Sequence, residues 1–217
     1  MIPAILTCNG SYFYFSEPED SAIDIKTIAH ALAHICRFTG HTQFFYSVAQ
    51  HSVMVSRMVP PQHALAGLLH DATEAYLGDV AAPLKALLPD YRAIEARVQA
   101  AVMRTFGLPE HLPPEVKDAD TLALAIEQDA LMPAHADVWP CEHHPDWQRT
   151  IGAHRVLPQQ PILARKLFLM RYMELTGGKD DCEVVSNIGD SNGDECAATR
   201  RAIVRAAAEL GKIRSGT

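Results

Sequence analysis

Apolar residues at helical spacing, interrupted by proline and glycine, most restrict the fold of this chain. In most segments between residues 24 and 175, apolar side chains recur three or four positions apart, as in helices with one buried face. Proline pairs at 60–61 and 113–114, and glycines at 78 and 107, separate these segments and are residues at which helices start or stop. The pattern therefore predicts an all-α, bundle-like domain.

Cap and turn residues give approximate bounds for the predicted elements. Asp24 is a candidate N-cap, and Ser47 with Gln50 fits a capping box for a helix that reaches about Met58. Further helices are predicted from near Gln62 to Gly78, from Asp90 to Phe106, from Pro114 to about Met132 and from Pro161 to Leu175. The alternating aromatic run at 11–15 predicts a short strand or hairpin arm, and 134–160 a long irregular loop.

Composition changes after the glycine pair at 177–178. Residues 1–176 carry all the motifs described below and are expected to form one domain. Residues 177–195 are acidic and lack periodicity, so they are expected to form a flexible linker. Residues 196–217 are rich in alanine and arginine and are expected to form a tail helix.

Overall charge and cysteine content favour a globular cytoplasmic protein. The net charge of −7 over 217 residues argues against binding to a nucleic-acid polymer, which usually requires a basic surface. Five scattered cysteines without a C-x-x-C pair suit a reducing compartment. No signal peptide and no membrane span are expected. The sequence does not set the oligomeric state, and a homodimer is compatible with it.

The stretch GLLHDATEAYLGD, residues 67–79, places ionisable groups inside an apolar helical pattern. An imidazole and three carboxylates belong to His70, Asp71, Glu74 and Asp79. Such groups are costly to bury unless they are paired, hydrogen-bonded or bound to a metal. This segment is therefore the first candidate for a functional site.

Two further polar residues on predicted helices complete a candidate metal site. His51 follows the Ser47 cap, and Asp120 lies on the helix after Pro114. The four candidate ligands are His51, His70, Asp71 and Asp120. Two imidazoles and two carboxylates suit one divalent transition metal ion, Mn²⁺, Fe²⁺, Co²⁺, Ni²⁺ or Zn²⁺, better than Ca²⁺.

Neighbouring residues supply candidate catalytic and binding groups. Glu74 is four residues after His70 and is placed to orient a water or to pass a proton to a leaving group. Asp79, just past Gly78, is expected to face the same cleft. Arg37 and Lys85 are candidates to neutralise a phosphate.

Each of these residues also has an ordinary structural interpretation. A lone histidine on an apolar helix is more often a hydrogen-bonded core residue, and a lone aspartate is more often solvated. The combination favours function: HD, then E, then GD, then P-x-K within residues 70–85.

These motifs resemble those of the HD-domain metal-dependent phosphohydrolases. The resemblance rests on HSVMVS, LLHDATEAYLGD and VKDADTLAL, which carry the ordered H…HD…D pattern. The layout HD-x-x-E-x-x-x-GD-x-x-x-P-x-K, and the segment from Ile28 to Ser52, are similar to the 5′-deoxynucleotidase branch, including phage-type and bacterial members. The resemblance covers roughly residues 1–176.

The resemblance implies an all-α HD-domain bundle in which His51, His70, Asp71 and Asp120 bind one divalent ion. It also implies a small-molecule nucleotide substrate and release of phosphate from deoxynucleoside monophosphates. The branch has an Arg-Trp pair that contacts phosphate and crowds the sugar 2′ position, and here Arg37-Phe38 stands in its place. The smaller ring of Phe38 predicts leaky sugar selectivity. The branch often has threonine before the proline of P-x-K, where this chain has Ala82.

Two other functions stay open at the level of sequence. One is hydrolysis of a deoxynucleoside triphosphate with release of triphosphate. The other is a nucleotide-binding regulatory module whose metal is structural, although such a module would not need Glu74 and Asp79.

Overall fold

A computed structural model describes residues 2–153 and 155–177, which are mostly helical with one short antiparallel hairpin, as the sequence predicts. The elements are β1 (Ala4–Leu6), β2 (Tyr12–Tyr14), α1 (Ile25–His34), α2 (Val48–Met58), α3 (Ala64–Leu69), α4 (Glu74–Leu77), α5 (Ala82–Lys85), α6 (Pro89–Thr105), α7 (Pro114–Leu131), α8 (Trp147–Ala153) and α9 (Pro161–Thr176). Short 3₁₀ turns at Pro18–Asp20, Arg37–Gly40, Pro61–His63 and Pro140–His143 lie between them.

The hairpin fastens the N-terminus to the segment that carries the HD motif. Ile5 of β1 is opposite Phe13 of β2. The Phe13 ring is fully buried and stacks on Tyr76 of α4 at a centroid distance of 4.0 Å. The aromatic alternation at 11–15 therefore belongs to a strand whose inward face packs beside α4.

Side-chain caps start α1 and α2 where the sequence predicts. Asp24 accepts hydrogen bonds from the backbone N–H groups of Lys26 and Thr27. Ser47 accepts one from the N–H of Gln50. The reciprocal half of the predicted capping box is wrong, because Gln50 Oε1 accepts from the N–H of Gln159 at 3.1 Å, while Gln50 Nε2 donates to the carbonyl of Leu157 at 2.7 Å. Gln50 therefore holds the chain before α9 against α2.

Helix α2 is the centre of the bundle and packs against α1, α3, α7 and α9. Gly67 allows the close approach of α3: a Cβ at this position would lie 3.1 Å from Val59 and 3.2 Å from the Cα of Ser56. A side chain at 67 would push α3 away from α2. This contact sets how near the residues that follow α3 come to α2.

The single helix predicted from about Gln62 to Gly78 is wrong. The chain forms α3, then a turn at 70–73, then α4, which ends at Gly78 as predicted. In the turn the N–H of Ala72 bonds to the carbonyl of Leu69, and that of Glu74 to the carbonyl of Asp71. These i→i+3 bonds tighten the backbone exactly at the HD dipeptide, which an apolar pattern cannot reveal.

The irregular loop predicted over 134–160 is wrong in part, because it contains the 3₁₀ turn at Pro140–His143 and the two-turn helix α8. Helix α8 has no long apolar stripe that would reveal it in the sequence. Apart from Gly177, the predicted linker (177–195) and tail helix (196–217) lie outside the described residues. Within the described part of the chain, no helix has the length and apolar character needed to cross a membrane.

Candidate metal centre

Ligand atoms from three parts of the chain meet at one point: the first turn of α2, the turn after α3, and α7. They belong to the four residues singled out in the sequence, His51, His70, Asp71 and Asp120. The Nε2 atoms of the two imidazoles are 3.2 Å apart. Asp120 Oδ1 is 3.3 Å from His51 Nε2, and Asp71 Oδ2 is 3.1 Å from His70 Nε2.

Hydrogen bonds on the far side of each ring orient the two imidazoles. His51 Nδ1 lies 2.6 Å from Glu127 Oε1, and His70 Nδ1 lies 2.9 Å from the carbonyl oxygen of Gly67. Both partners can only accept when Glu127 is ionised, so each Nδ1 carries the hydrogen. In the neutral rings both Nε2 lone pairs then point toward the carboxylates of Asp71 and Asp120. This second-sphere pattern is typical of histidines that bind metal.

The cluster of imidazole nitrogens and carboxylate oxygens favours the binding of a positive charge. Burial lowers the pKa of the fully buried His51, but the nearby carboxylate of Glu127 and hydrogen bonds to Asp120 and Glu127 raise it to about 9. Burial raises the pKa values of Asp71 and Asp120, yet His51 and His70 hold both well below their ordinary range. The cluster is thus completed either by a proton on His51 or by a metal cation.

The spacing of the ligand atoms fits one divalent ion. Two ligand atoms that are each about 2.0–2.2 Å from an ion lie about 3–3.5 Å apart at octahedral or tetrahedral angles. His51 Nε2 lies 3.2 Å from His70 Nε2 and 3.3 Å from Asp120 Oδ1, which are within this range, and His70 Nε2 lies 4.0 Å from Asp120 Oδ1, which is slightly outside it. These three residues could hold a metal ion. Asp71 is not one of the three, and its Oδ2 lies 3.5 Å from His51 Nε2. The sequence and the geometry leave the identity of the ion open.

Arg37 lies beside this cluster, with its guanidinium shared between two carboxylates. Its Nε and Nη2 are 3.1 and 3.0 Å from Glu127 Oε2, while Nη1 is 3.5 Å from Asp71 Oδ2. An isolated antiparallel β-bridge between the backbones of Cys36 and Ser47 closes the loop that carries Arg37. One edge of the guanidinium is thereby fixed by Glu127, and the Nη1 end points toward Asp71.

A strained turn follows Arg37. Phe38 and Thr39 both have a backbone φ of 54°, in the left-handed region that residues other than glycine seldom adopt,. The Phe38 ring lies 5.6 Å from the Arg37 guanidinium carbon and 6.0 Å from the ring of Trp139. Strain of this kind often accompanies functional sites. The turn places an aromatic wall, made by Phe38 and Trp139, next to Arg37.

Glu74 is a buried carboxyl group near the cluster. Its side chain is 7% exposed and, among the described residues, Oε2 has no hydrogen-bond partner. Burial and the charges of Asp71 and Asp79 raise the pKa of Glu74 to about 10, against the opposing effect of Arg37 and Lys85. Burial also raises the pKa of Asp79, which interacts with Arg37 and Asp71. Both predicted catalytic carboxyls therefore interact electrostatically with Asp71 of the cluster.

Lys85 is engaged with another acidic residue. Its ammonium is 2.6 Å from Glu95 Oε1 and 5.8 Å from the centroid of the Tyr91 ring. Lys85 also interacts electrostatically with Glu74. The predicted phosphate-binding lysine thus lies near the site but in an ion pair on α5 and α6, whereas Arg37 reaches the ligands directly.

Comparison with known proteins finds no family model that matches this chain. An uncharacterized protein of Escherichia coli, YfdR, is 40% identical over 173 residues, which cover 79% of this chain and 95% of that protein. The chain belongs to the YfdR family. An uncharacterized protein of Rhodobacter capsulatus is 37% identical over 129 residues, which cover 53% of this chain and 66% of that protein. The names of these relatives state no activity.

One residue of this YfdR-family site is missing from the sequence prediction. Glu127, on α7 and fully buried, contacts both His51 and Arg37. Burial raises its pKa, but Arg37, His51 and a hydrogen bond with Tyr46 lower it below the ordinary value. Its spacing of seven residues from Asp120 puts both carboxylates on one helix face, and this was the available signal.

Proposed function

We propose that this YfdR-family chain is an HD-domain metal-dependent phosphohydrolase that acts on nucleotides, releasing phosphate from deoxynucleoside 5′-monophosphates. The observation that carries the proposal is the convergence of ligand atoms from His51, His70 and Asp120 beside the cationic Arg37 and the buried carboxyl of Glu74. Asp71 is proposed as the fourth ligand. A structural metal site would not need the neighbouring cation and acid.

The phosphate is proposed to bind between the ligand cluster and Arg37. A divalent ion held by the four ligands would supply Lewis-acid chemistry to a phosphoryl group. Glu127 occupies the Nε and Nη2 groups of Arg37, so Nη1 is the donor directed toward the cluster. Arg37 would neutralise a phosphoryl oxygen there and stabilise the charge that grows on it during hydrolysis.

Glu74 is proposed to donate the proton that the leaving group needs. In the metal-free protein the raised pKa keeps a proton on the carboxyl at neutral pH, and the protonated form is the one that a general acid needs. Water adds its oxygen to phosphorus as the bond to the 5′ oxygen breaks, and Glu74 gives its proton to that leaving oxygen. A proton from the attacking water then restores Glu74, so the products are phosphate and the nucleoside.

The sugar is proposed to lie against Phe38 and Asp79. Phe38 follows Arg37 directly, and its ring would crowd the 2′ position of a sugar attached to a phosphate on Arg37. Asp79 carries an acceptor for a sugar hydroxyl when it is ionised. Because an apolar wall separates substrates that differ by one small group by only about 1–3 kcal/mol, the preference for deoxyribose is expected to be incomplete.

Phosphate release from a panel of dNMPs, dNTPs and NMPs tests this function. The protein is first treated with a chelator and then assayed with Mn²⁺, Co²⁺ or Zn²⁺, with His70→Ala prepared in parallel to detect contaminating phosphatase. Metal-dependent release of inorganic phosphate from a dNMP, absent in the variant, supports the proposal. Release of triphosphate from dNTPs would instead indicate a triphosphohydrolase. Metal binding with no hydrolysis of any nucleotide would indicate a regulatory module.

A further inference from the structure

Glu127 connects two groups that the proposed function assigns to different tasks. Its Oε1 is 2.6 Å from His51 Nδ1, and its Oε2 is 3.0 Å from Arg37 Nη2 and 3.1 Å from Arg37 Nε. The hydroxyl of Tyr46 also hydrogen-bonds to it. The side chain of Glu127 is fully buried, so these protein donors, rather than water, satisfy the carboxylate.

The chemistry of the carboxylate matters for His51. An ionised carboxylate can only accept, so the imidazole must place its hydrogen on Nδ1 and keep Nε2 free. Nε2 is the atom that faces His70 Nε2 at 3.2 Å and Asp120 Oδ1 at 3.3 Å. A neutral ring with the opposite tautomer would direct an N–H into the ligand cluster and could not bind a metal there.

The second oxygen has an equally specific effect on Arg37. Oε2 receives two N–H groups from one edge of the guanidinium, which fixes the plane of that group. The remaining Nη1 end is left directed toward Asp71 Oδ2 at 3.5 Å. Rotation of the guanidinium away from Glu127 would withdraw this end from the ligands.

We propose that Glu127 is a positioning residue that sets the tautomer of His51 and the orientation of Arg37. One buried carboxylate thereby builds both the metal-binding half and the anion-binding half of the site. The part concerning His51 stands on the ligand geometry, while the part concerning Arg37 rests on the proposed function, in which that residue binds phosphate.

Glu127→Gln is the informative substitution, because it preserves shape and removes one acceptor. The amide has a single oxygen, so one of His51 and Arg37 must face an NH₂ group. If the oxygen stays with the charged Arg37, the NH₂ group donates to His51 Nδ1 and the ring hydrogen moves to Nε2. In other proteins, replacing a carboxylate beside a histidine with an amide changes the tautomer of the histidine and lowers metal affinity or activity.

Three readouts on the folded protein test the proposal without turnover. Nitrogen-15 NMR of the metal-free protein at alkaline pH, where the His51 ring is neutral, reports its tautomer, which should change from hydrogen on Nδ1 to hydrogen on Nε2 in Glu127→Gln. Calorimetric titration with Mn²⁺ should show a Kd raised by about 10–100-fold. Titration of the Mn²⁺-loaded protein with inorganic phosphate should show affinity reduced about tenfold, as expected for one displaced charged hydrogen bond.

Two companion variants separate positioning from simple stability. Asp129→Asn, an exposed change on the same helix, should match the wild type in all three readouts. Glu127→Asp keeps both acceptor oxygens at shorter reach, so the wild-type tautomer should persist with a loss in Mn²⁺ affinity smaller than that of the Gln variant.

The proposal is overturned if Glu127→Gln retains the wild-type tautomer and binds Mn²⁺ within about twofold of the wild type. Should the Gln variant not fold, Glu127→Asp decides the matter, and a His51 ring hydrogen on Nε2 with unchanged Mn²⁺ affinity there overturns the proposal, because the tautomer would then have no effect on metal binding. Because these titrations need no hydrolysis, a protein that cleaves no nucleotide but shows the tautomer change would contradict the proposed function and leave the role of Glu127 supported.

Discussion

Replacing Glu74 with glutamine should make the metal-free protein more stable and the metal-loaded protein inactive. Glu74 is 7% exposed, its Oε2 has no partner among the described residues, and its pKa is raised from 4.5 to about 10. Burial is the first cause, and the negative charges of Asp71 and Asp79 add to it. Glutamine has the shape of the protonated acid and carries no titratable proton, so it removes the cost of keeping this carboxyl neutral.

The size of the effect follows from the two pKa values. In the unfolded chain Glu74 ionises above its ordinary pKa of 4.5, whereas in the folded protein it stays protonated up to about 10. At pH 7 the gap between the pH and the unfolded pKa is about 2.5 units, and one unit is worth about 1.36 kcal/mol. Glu74 therefore destabilises the metal-free fold by about 3 kcal/mol at neutral pH.

The direction of the pH dependence is equally specific. Below pH 4.5 the carboxyl is protonated in both states, so it contributes no pH dependence to stability. Between 4.5 and about 10 only the unfolded state ionises, so folded stability falls as the pH rises. Glu74→Gln lacks this fall, and the gap between variant and wild type should therefore widen from mildly acidic to alkaline pH.

Urea unfolding in the presence of a chelator measures this difference at several pH values. Glu110→Gln, an exposed change, serves as the matched control and should leave the free energy of unfolding nearly unchanged. In parallel, metal-loaded Glu74→Gln should keep its bound ion and lose turnover by about 10²–10⁴-fold, the usual contribution of a general acid.

A specific result would refute this reasoning. If Glu74→Gln and the wild type show the same slope of unfolding free energy against pH, Glu74 is ionised in the folded metal-free protein, and its assignment as the proton donor loses its basis. If the slope changes as expected but turnover survives, the burial is a packing feature without a catalytic role.

Three further predictions concern the turn after Arg37 and the metal ligands. Phe38→Trp should raise the ratio of kcat/KM for a dNMP over its matching NMP by up to about tenfold, and an unchanged ratio would place the sugar away from this ring. Thr39→Gly should raise the free energy of unfolding by about 1 kcal/mol, because glycine relieves the left-handed strain at a smaller cost in chain entropy; urea unfolding at fixed pH would show a decrease if the strain is absent. The affinity for Mn²⁺, measured by calorimetry, should rise about tenfold for each unit of increasing pH, up to about pH 9. The reason is that the ion displaces the proton that His51 holds because of its raised pKa. An affinity independent of pH would mean that His51 is neutral in the metal-free protein.

Much of the helical framework could be predicted from the sequence because its signals are local. The caps at Asp24 and Ser47, the stop at Gly78 and the long helices α6, α7 and α9 each depend on a few neighbouring residues. The break at 70–73 is formed instead by i→i+3 hydrogen bonds. The apolar pattern does not distinguish such a turn from a continuous helix.

For the site, the sequence indicates the candidate residues but not the contacts that they make with one another and with Glu127. Residue type and motif indicate His51, His70, Asp71 and Asp120, and the structure brings these four side chains close together. Glu127 is absent from the sequence prediction because a buried glutamate on an apolar helix belongs to no motif. Its partners His51 and Arg37 lie 76 and 90 residues away in the chain, a separation that only the fold closes.

The most direct test of the metal centre is the number of divalent ions bound per chain, measured by elemental analysis after loading with Mn²⁺ and removing free metal. We predict one ion per chain in the wild type, and almost none in His70→Ala and Asp120→Ala, because each variant lacks a ligand. Equal metal content in the wild type and both variants, or none in the wild type, would contradict the assignment of this cluster as a metal site.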